Sequence, residues 1–176
     1  HTPSRLTLLW MAISLPLVAW DTGYVLLRPH TMPGGSLHRP LWTPYALYGT
    51  VDGVYGFKAW DARDGFTAAQ GLLNLFESAM YVVYLWLALR GRGGRLTSRP
   101  AAAAAGRQNA LGLLVGFSAA VMTLSKTVLY WAKEYFADFD NIGHNDAVTL
   151  FFLWVIPNGA WLVGPTYLIF SMGREI

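Results

Sequence analysis

The chain contains no cysteine, which excludes a disulfide framework, thiolate nucleophiles and cysteine-based zinc or iron–sulfur centres. It is also poor in charge. Of its 176 residues only 13% are Asp, Glu, Lys or Arg and 54% are hydrophobic, a balance too apolar for an ordinary water-soluble domain and suited to the bilayer as solvent. There is no glycine-rich phosphate loop, no nucleophile elbow and no HExxH, which argues against nucleotide use and conventional hydrolysis. The net charge of +3 is modest and the arginines concentrate in one segment, so the charge reads as membrane topology and not as a nucleic-acid footprint. His144-Asn145-Asp146 comes nearest to a metal-ligand cluster, but no second His or carboxylate stands at a ligand spacing. Asn145 or Asp146 is expected to cap the following helix. His30 and His38 read as loop residues, and neither a metal nor a cofactor is expected.

What the chain does have is four long apolar segments, at about residues 6–27, 66–89, 110–131 and 147–172, each near the roughly 20 residues a bilayer-spanning helix needs. The expected fold is a single all-α domain over residues 1–176: an integral membrane four-helix bundle with an ordered non-cytosolic cap and a central ligand cavity. The chain begins at His1, as a trimmed chain would. Its first apolar run is too long for a signal-peptide core and lacks a small-residue cleavage site before Arg28-Pro29-His30, so it reads as a true span. The linker 90–107 carries Arg90, Arg92, Arg95, Arg99 and Arg107, no acid, and the run Ala101 to Ala105. The positive-inside rule therefore places it, and with it both termini, in the cytosol. Residues 28–64 are rich in Pro, Gly, Trp and Tyr and are expected to form the cap, with one short helix. Gly112 and Gly116 form a small-xxx-small pair that marks close helix packing.

Three ionisable groups fall inside the apolar runs: Asp21, Glu77 and Lys126. A charge at mid-membrane costs about 2.5–3.5 kcal/mol on insertion scales, so each needs a partner or a use. They are expected to converge in one cavity. A buried Glu77–Lys126 pair could simply fix helix order. Alternatively, desolvation disfavours a charged carboxyl, which would let Asp21 or Glu77 hold a proton and deliver it to an apolar substrate, with Lys126 tuning its neighbour. Gln70, Asn74, Glu77 and Tyr81 follow i, i+4, i+7, i+11 spacing and share one helical face, serving either as interhelical hydrogen bonders or as ligand contacts. Pro157 and Pro165 each remove a backbone donor and loosen the fourth span, which makes Asn158 and Trp161 pocket candidates; an aromatic face beside an acid can stabilise a cation.

The strings Val128 to Tyr130, the loop Glu134 to Asn145 with Gly143-His144, Asn158, Trp161 and Pro165, with Trp20-Asp21 upstream, resemble the EXPERA superfamily, which includes emopamil-binding protein (the sterol double-bond isomerase) and the sigma-2 receptor. The resemblance covers nearly the whole chain. It implies an endoplasmic-reticulum membrane bundle around a hydrophobic cavity that opens towards the lipid. It also implies acids and a tryptophan that recognise cations, and proton-shift chemistry in the isomerase branch. By the resemblance, the first-span acid of the family falls on Asp21 and its pocket asparagine and tryptophan on Asn158 and Trp161. The isomerase's histidine falls on Leu17 and its second-span glutamate on Gln70, while Glu77 matches an acid found in some relatives. The expected function is a cofactor-independent isomerase or cyclase of a sterol-, terpenoid- or polyketide-like metabolite. Asp21, Glu77 and Lys126 would be catalytic, and Gln70, Asn74, Tyr81, Tyr130, Asn158 and Trp161 would contact substrate. The alternative is a non-catalytic lipid-binding receptor. The partners expected are a hydrophobic ligand and membrane lipids, with a homodimer left open and no nucleic acid.

Overall fold

In the computed structural model, which describes residues 2–90 and 99–176, every secondary-structure element among the described residues is a helix. The helices are α1 (Arg5–Leu26), α2 (Pro44–Val51), α3 (Phe57–Asp61), α4 (Phe66–Arg90), α5 (Arg99–Phe136) and α6 (Ala147–Gly173). Side chains that satisfy the free amides of a first turn mark where three of them begin. Ser4 accepts from the Thr7 amide at 3.0 Å ahead of α1. Asp64 accepts from the Phe66 amide at 2.8 Å ahead of α4. Asp146 accepts from the Val148 and Thr149 amides at 2.9 and 3.0 Å, so of the two capping candidates before α6 it is the aspartate that caps.

Helices α1, α4, α5 and α6 pack together and are each long and apolar enough to cross a membrane. Their order around the bundle is α1 on α4, α4 on α5 and α5 on α6; α1 and α6 meet more sparsely. The core along the shared axis includes Met11, Tyr84, Ala88, Leu113, Ala119, Ala120, Leu168 and Met172. Gly112 and Gly116 lie at the α4–α5 contact. A β-carbon on Gly116 would stand 2.7 Å from the Tyr84 ring, and one on Gly112 would stand 3.2 Å from the Leu87 β-carbon. The outer faces carry Leu9, Ile13, Leu72, Phe76, Val82, Leu114, Leu129, Phe152, Val163 and Phe170, all exposed.

Three expectations are corrected. The third long helix begins at Arg99 and not near residue 110, so Ala101 to Ala105 belong to a helix and not to a linker. Alanine is the strongest helix former, and Pro100 fits a first turn that has no use for its missing amide. Hydropathy sees only the membrane-compatible part of such a helix. The arginine-rich linker's Arg92 and Arg95 lie outside the described residues. Glu134, expected in a loop, lies within α5 and is buried. The cap contains two short helices, α2 and α3, instead of one.

The cap is tied to the bundle by specific hydrogen bonds. Arg28 donates to the Val54 carbonyl at 3.3 Å and to Thr67 Oγ1 at 2.5 Å, and the Trp42 indole donates to the Trp20 carbonyl at 3.1 Å. His38 is buried with Nδ1 2.8 Å from the Thr31 carbonyl oxygen, a bonded core position and not an ordinary loop site. The connection between α5 and α6 docks onto the same cap. The Gly53 amide donates to the Asn141 carbonyl at 3.0 Å, and Asn145 donates to the Val51 carbonyl at 2.7 Å.

At the start of α6, a π-helical turn spans Phe151–Val155 immediately before Pro157. Proline at 157 has no amide to donate to a carbonyl one turn back, and the wider turn absorbs that loss. Asn158 then donates from Nδ2 to the Trp154 carbonyl at 2.9 Å, a local side-chain bond to the turn before it.

Candidate functional site

A cavity of about 470 Å³ lies inside the bundle beneath the cap, within the size range of small-molecule pockets. Every residue singled out as a site candidate faces it: Asp21 from α1, Gln70, Asn74, Glu77 and Tyr81 from α4, Lys126 and Tyr130 from α5, and Asn158 and Trp161 from α6. The helical stripe on α4 is the reason four of them converge. Residues 70, 74, 77 and 81 lie one above another on the face that α4 turns inward.

The mid-bundle end is built on an ion pair. Lys126 Nζ stands 2.8 Å from Glu77 Oε2 and also donates to Asn74 Oδ1. Thr123 Oγ1 donates to the same Glu77 oxygen at 2.9 Å and lies 3.3 Å from the Tyr81 hydroxyl. Gln70 Nε2 reaches the Lys126 carbonyl at 3.4 Å. Glu77 is 3% exposed, and its second oxygen, Oε1, has no hydrogen-bond partner.

The cap end is built on the other acid. Tyr45 donates to Asp21 Oδ1 at 2.7 Å and Tyr55 to Oδ2 at 3.3 Å. Tyr45 stacks on Tyr24 with centroids 3.8 Å apart, and Tyr48 meets Tyr55 edge-on at 5.0 Å. Burial, and after it the carboxylates of Asp21 and Asp52, push the Tyr45, Tyr48 and Tyr55 phenols above their ordinary range. They remain protonated and serve as donors. Asn158 Nδ2 contacts the Tyr48 hydroxyl at 3.3 Å.

Beneath α2, Asp52 is fully buried. It accepts from the Tyr130 hydroxyl, from the Trp154 indole at 2.8 Å and from the Val54 amide at 3.1 Å. Burial pushes its carboxyl up to about 6, against the opposing pull of those three donors. The walls between the two polar ends are apolar, with Trp10, Leu15, Leu17, Val18, Leu153 and Trp161 among them. Trp10 meets Trp161 edge-on at 5.1 Å across the sparse α1–α6 contact.

Sequence reasoning overlooked Tyr45, Tyr48 and Tyr55, which enter the site from the cap, and Thr123, which bridges Glu77 and Tyr81. A cap rich in tyrosine was a signal, but no spacing rule says which ring of a non-periodic segment points inward. Thr123 is one turn before Lys126 on α5, so helical spacing from the lysine would have found it. Asp52 had no signal beyond its charge, because two of its partners, Tyr130 and Trp154, are distant in sequence. Among the described residues, no group of three or more metal-ligating side chains comes together. Compared with known protein families, with curated proteins and with solved structures, the chain matches none.

Proposed function

We propose that the chain is an integral membrane protein whose cavity carries out cofactor-independent proton-transfer chemistry, an isomerisation or cyclisation, on a hydrophobic sterol-, terpenoid- or polyketide-like molecule. The observation that carries this reading is the placement of two separate carboxyl groups, Asp21 and Glu77, on one apolar cavity, each with its own set of partners. A shift of a carbon–carbon double bond needs a proton added at one carbon and another removed elsewhere, with no net change of atoms. Asp21 would add the proton, and the Tyr45 and Tyr55 hydroxyls would stabilise the carboxylate left behind. The faces of Trp161 and Trp10 would stabilise the cation in between. Glu77 would take up the departing proton, and Lys126 would serve as its counter-ion.

The exposed apolar faces of the four long helices support membrane embedding, since such a continuous surface in water would be an aggregation site. With the arginine-rich segment cytosolic, the cap lies on the opposite side, which in the endoplasmic reticulum is the lumen. The sparse α1–α6 contact, bordered by exposed Leu17 and Pro157 on the cavity, supports access from the lipid. This arrangement agrees with the EXPERA resemblance, in which a bundle holds a lipid-facing ligand cavity.

The second reading, a lipid-binding receptor without turnover, is favoured by one observation: Lys126 already bonds to both Asn74 and Glu77, as a settled structural pair would. Purified protein in nanodiscs, incubated with sterol, isoprenoid and polyketide candidates and compared with Asp21→Asn and Glu77→Gln, separates the two. The enzyme reading expects product from the wild type and at least a hundredfold less from each variant, in line with loss of a general acid or base. Equal product from both variants would remove the assigned mechanism. Bound but unaltered lipid throughout would favour the receptor.

A further inference from the structure

Four buried side-chain polar atoms, Thr22 Oγ1, Glu77 Oε1, Trp131 Nε1 and Glu134 Oε2, lack a hydrogen-bond partner among the described residues and are enclosed so fully that no ligand atom meets them. The Asn74 amide is different. Its oxygen accepts from Lys126 Nζ. A lysine ammonium can only donate, so that contact fixes which end of the amide is oxygen and leaves the NH2 end over. Nδ2 has no partner among the described residues, yet it is not one of the enclosed atoms: Asn74 is 9% exposed and lines the cavity. Two N–H donors therefore remain for the molecule that fills the cavity. A donor that a ligand covers without accepting from it weakens binding.

The neighbours of Asn74 narrow what that molecule brings. Lys126 pulls on Asn74 Oδ1, which polarises the amide and makes its N–H groups stronger donors. A ligand ammonium here would face those N–H groups and the like charge of Lys126, where little water screens the repulsion. A ligand carboxylate would compete with Glu77, 2.8 Å from Lys126, for a single counter-ion. A neutral accepting oxygen meets neither penalty. Elsewhere on the cavity Leu15, Val18, Leu153 and Trp161 present apolar surface to the rest of the molecule.

We infer that the ligand is an oxygenated lipophile whose neutral carbonyl oxygen accepts from Asn74 Nδ2. A carbonyl offers two lone pairs and has no hydrogen of its own to place. The inference rests on the reading of the cavity as a lipophile site and adds to it the polar group that the ligand carries. It also divides the work of Asn74, whose oxygen holds Lys126 and whose nitrogen holds the ligand, whether or not turnover follows.

The test uses the full chain in nanodiscs, with empty nanodiscs as background. The probes are two tritiated ketones, geranylacetone and cholestenone, each beside its methylidene analogue, in which C=CH2 replaces C=O at nearly the same shape. At least one ketone is expected to bind at least about threefold more tightly than its analogue, the discrimination that one hydrogen bond supports. Asn74→Asp keeps an oxygen for Lys126 and removes both N–H donors, and Asn74→Leu removes the amide altogether. In each variant the ratio is expected to fall to about one, while the analogue binds within about twofold of its wild-type affinity, the sign of an intact cavity. A smaller wild-type ratio for both ketones would overturn the inference and leave the lipophile cavity standing. An unchanged ratio in the variants would overturn it as well. Failure of all four molecules to bind the wild type would overturn the cavity reading itself, and this inference with it. Should neither variant fold, the wild-type ratios decide alone.

Discussion

Lys126 and Glu77 stand 2.8 Å apart with 11% and 5% of their side chains exposed. Removing either charge leaves the other buried without its counter-ion. In soluble proteins, breaking a buried pair from one side costs about 3–5 kcal/mol, whereas replacing both partners with apolar residues of similar volume is often close to neutral. Local hydrogen bonds reduce the single costs here. After Lys126→Met, Thr123 still donates to Glu77; after Glu77→Leu, Asn74 still accepts from Lys126. We therefore expect about 2 kcal/mol of destabilisation from each single substitution and about 1 kcal/mol from the double, which leaves a coupling of about 3 kcal/mol. Reversible unfolding in bicelles, followed by tryptophan fluorescence across the four proteins of the cycle, measures it. A coupling below about 0.5 kcal/mol would refute the reasoning, because the two charges would then be solvated independently of each other.

Three further outcomes are expected. The Asp52 carboxyl is pushed up to about 6 in the fold from an ordinary 3.8, so the folded protein binds the extra proton between those values. Stability should rise by about 1 kcal/mol as pH falls from 7 to 5 and be lost again as pH climbs through 6, and Asp52→Asn should abolish this component of the pH dependence; an identical pH dependence in the variant would contradict the assignment. Gly116→Ala places a β-carbon 2.7 Å from the buried Tyr84 ring and should cost about 1–3 kcal/mol in the same unfolding assay, while Gly159→Ala, with no heavy atom within 4 Å of its β-carbon, should be near neutral. Gly164→Ala would put a β-carbon 2.3 Å from the Trp10 indole, which must then move against Trp161; binding of whichever sterol, isoprenoid or polyketide candidate the wild type retains should weaken several-fold, and unchanged binding would show that Trp10 does not shape the cavity wall.

The long helices were legible in the sequence because a bilayer-length apolar run imposes its own period and length. The first, second and fourth spans end within a residue or so of the observed Arg5–Leu26, Phe66–Arg90 and Ala147–Gly173. The polar stripe on α4 was legible for the same reason, since spacing on a helix determines a face. The start of α5 was not, because its first residues are helical through alanine propensity and carry no hydropathy signal. The cap was legible only as an aromatic, ordered segment. Its tyrosines reach Asp21 through hydrogen bonds that span 24 and 34 residues of sequence. Asp52 bonds Tyr130 and Trp154 across 78 and 102 residues. Contacts of that range follow from how the cap folds down over the bundle, which no local pattern encodes.

The central claim is that Asp21 and Glu77 move protons to and from a lipophile held between them. The most direct measurement is turnover in deuterium oxide, with mass spectrometry and NMR of the recovered lipid. The account predicts an isomerised or cyclised product carrying one solvent deuteron at a carbon, formed by the wild type and lost in Asp21→Asn. A lipid that binds the wild type and is recovered unrearranged and free of deuterium would contradict it.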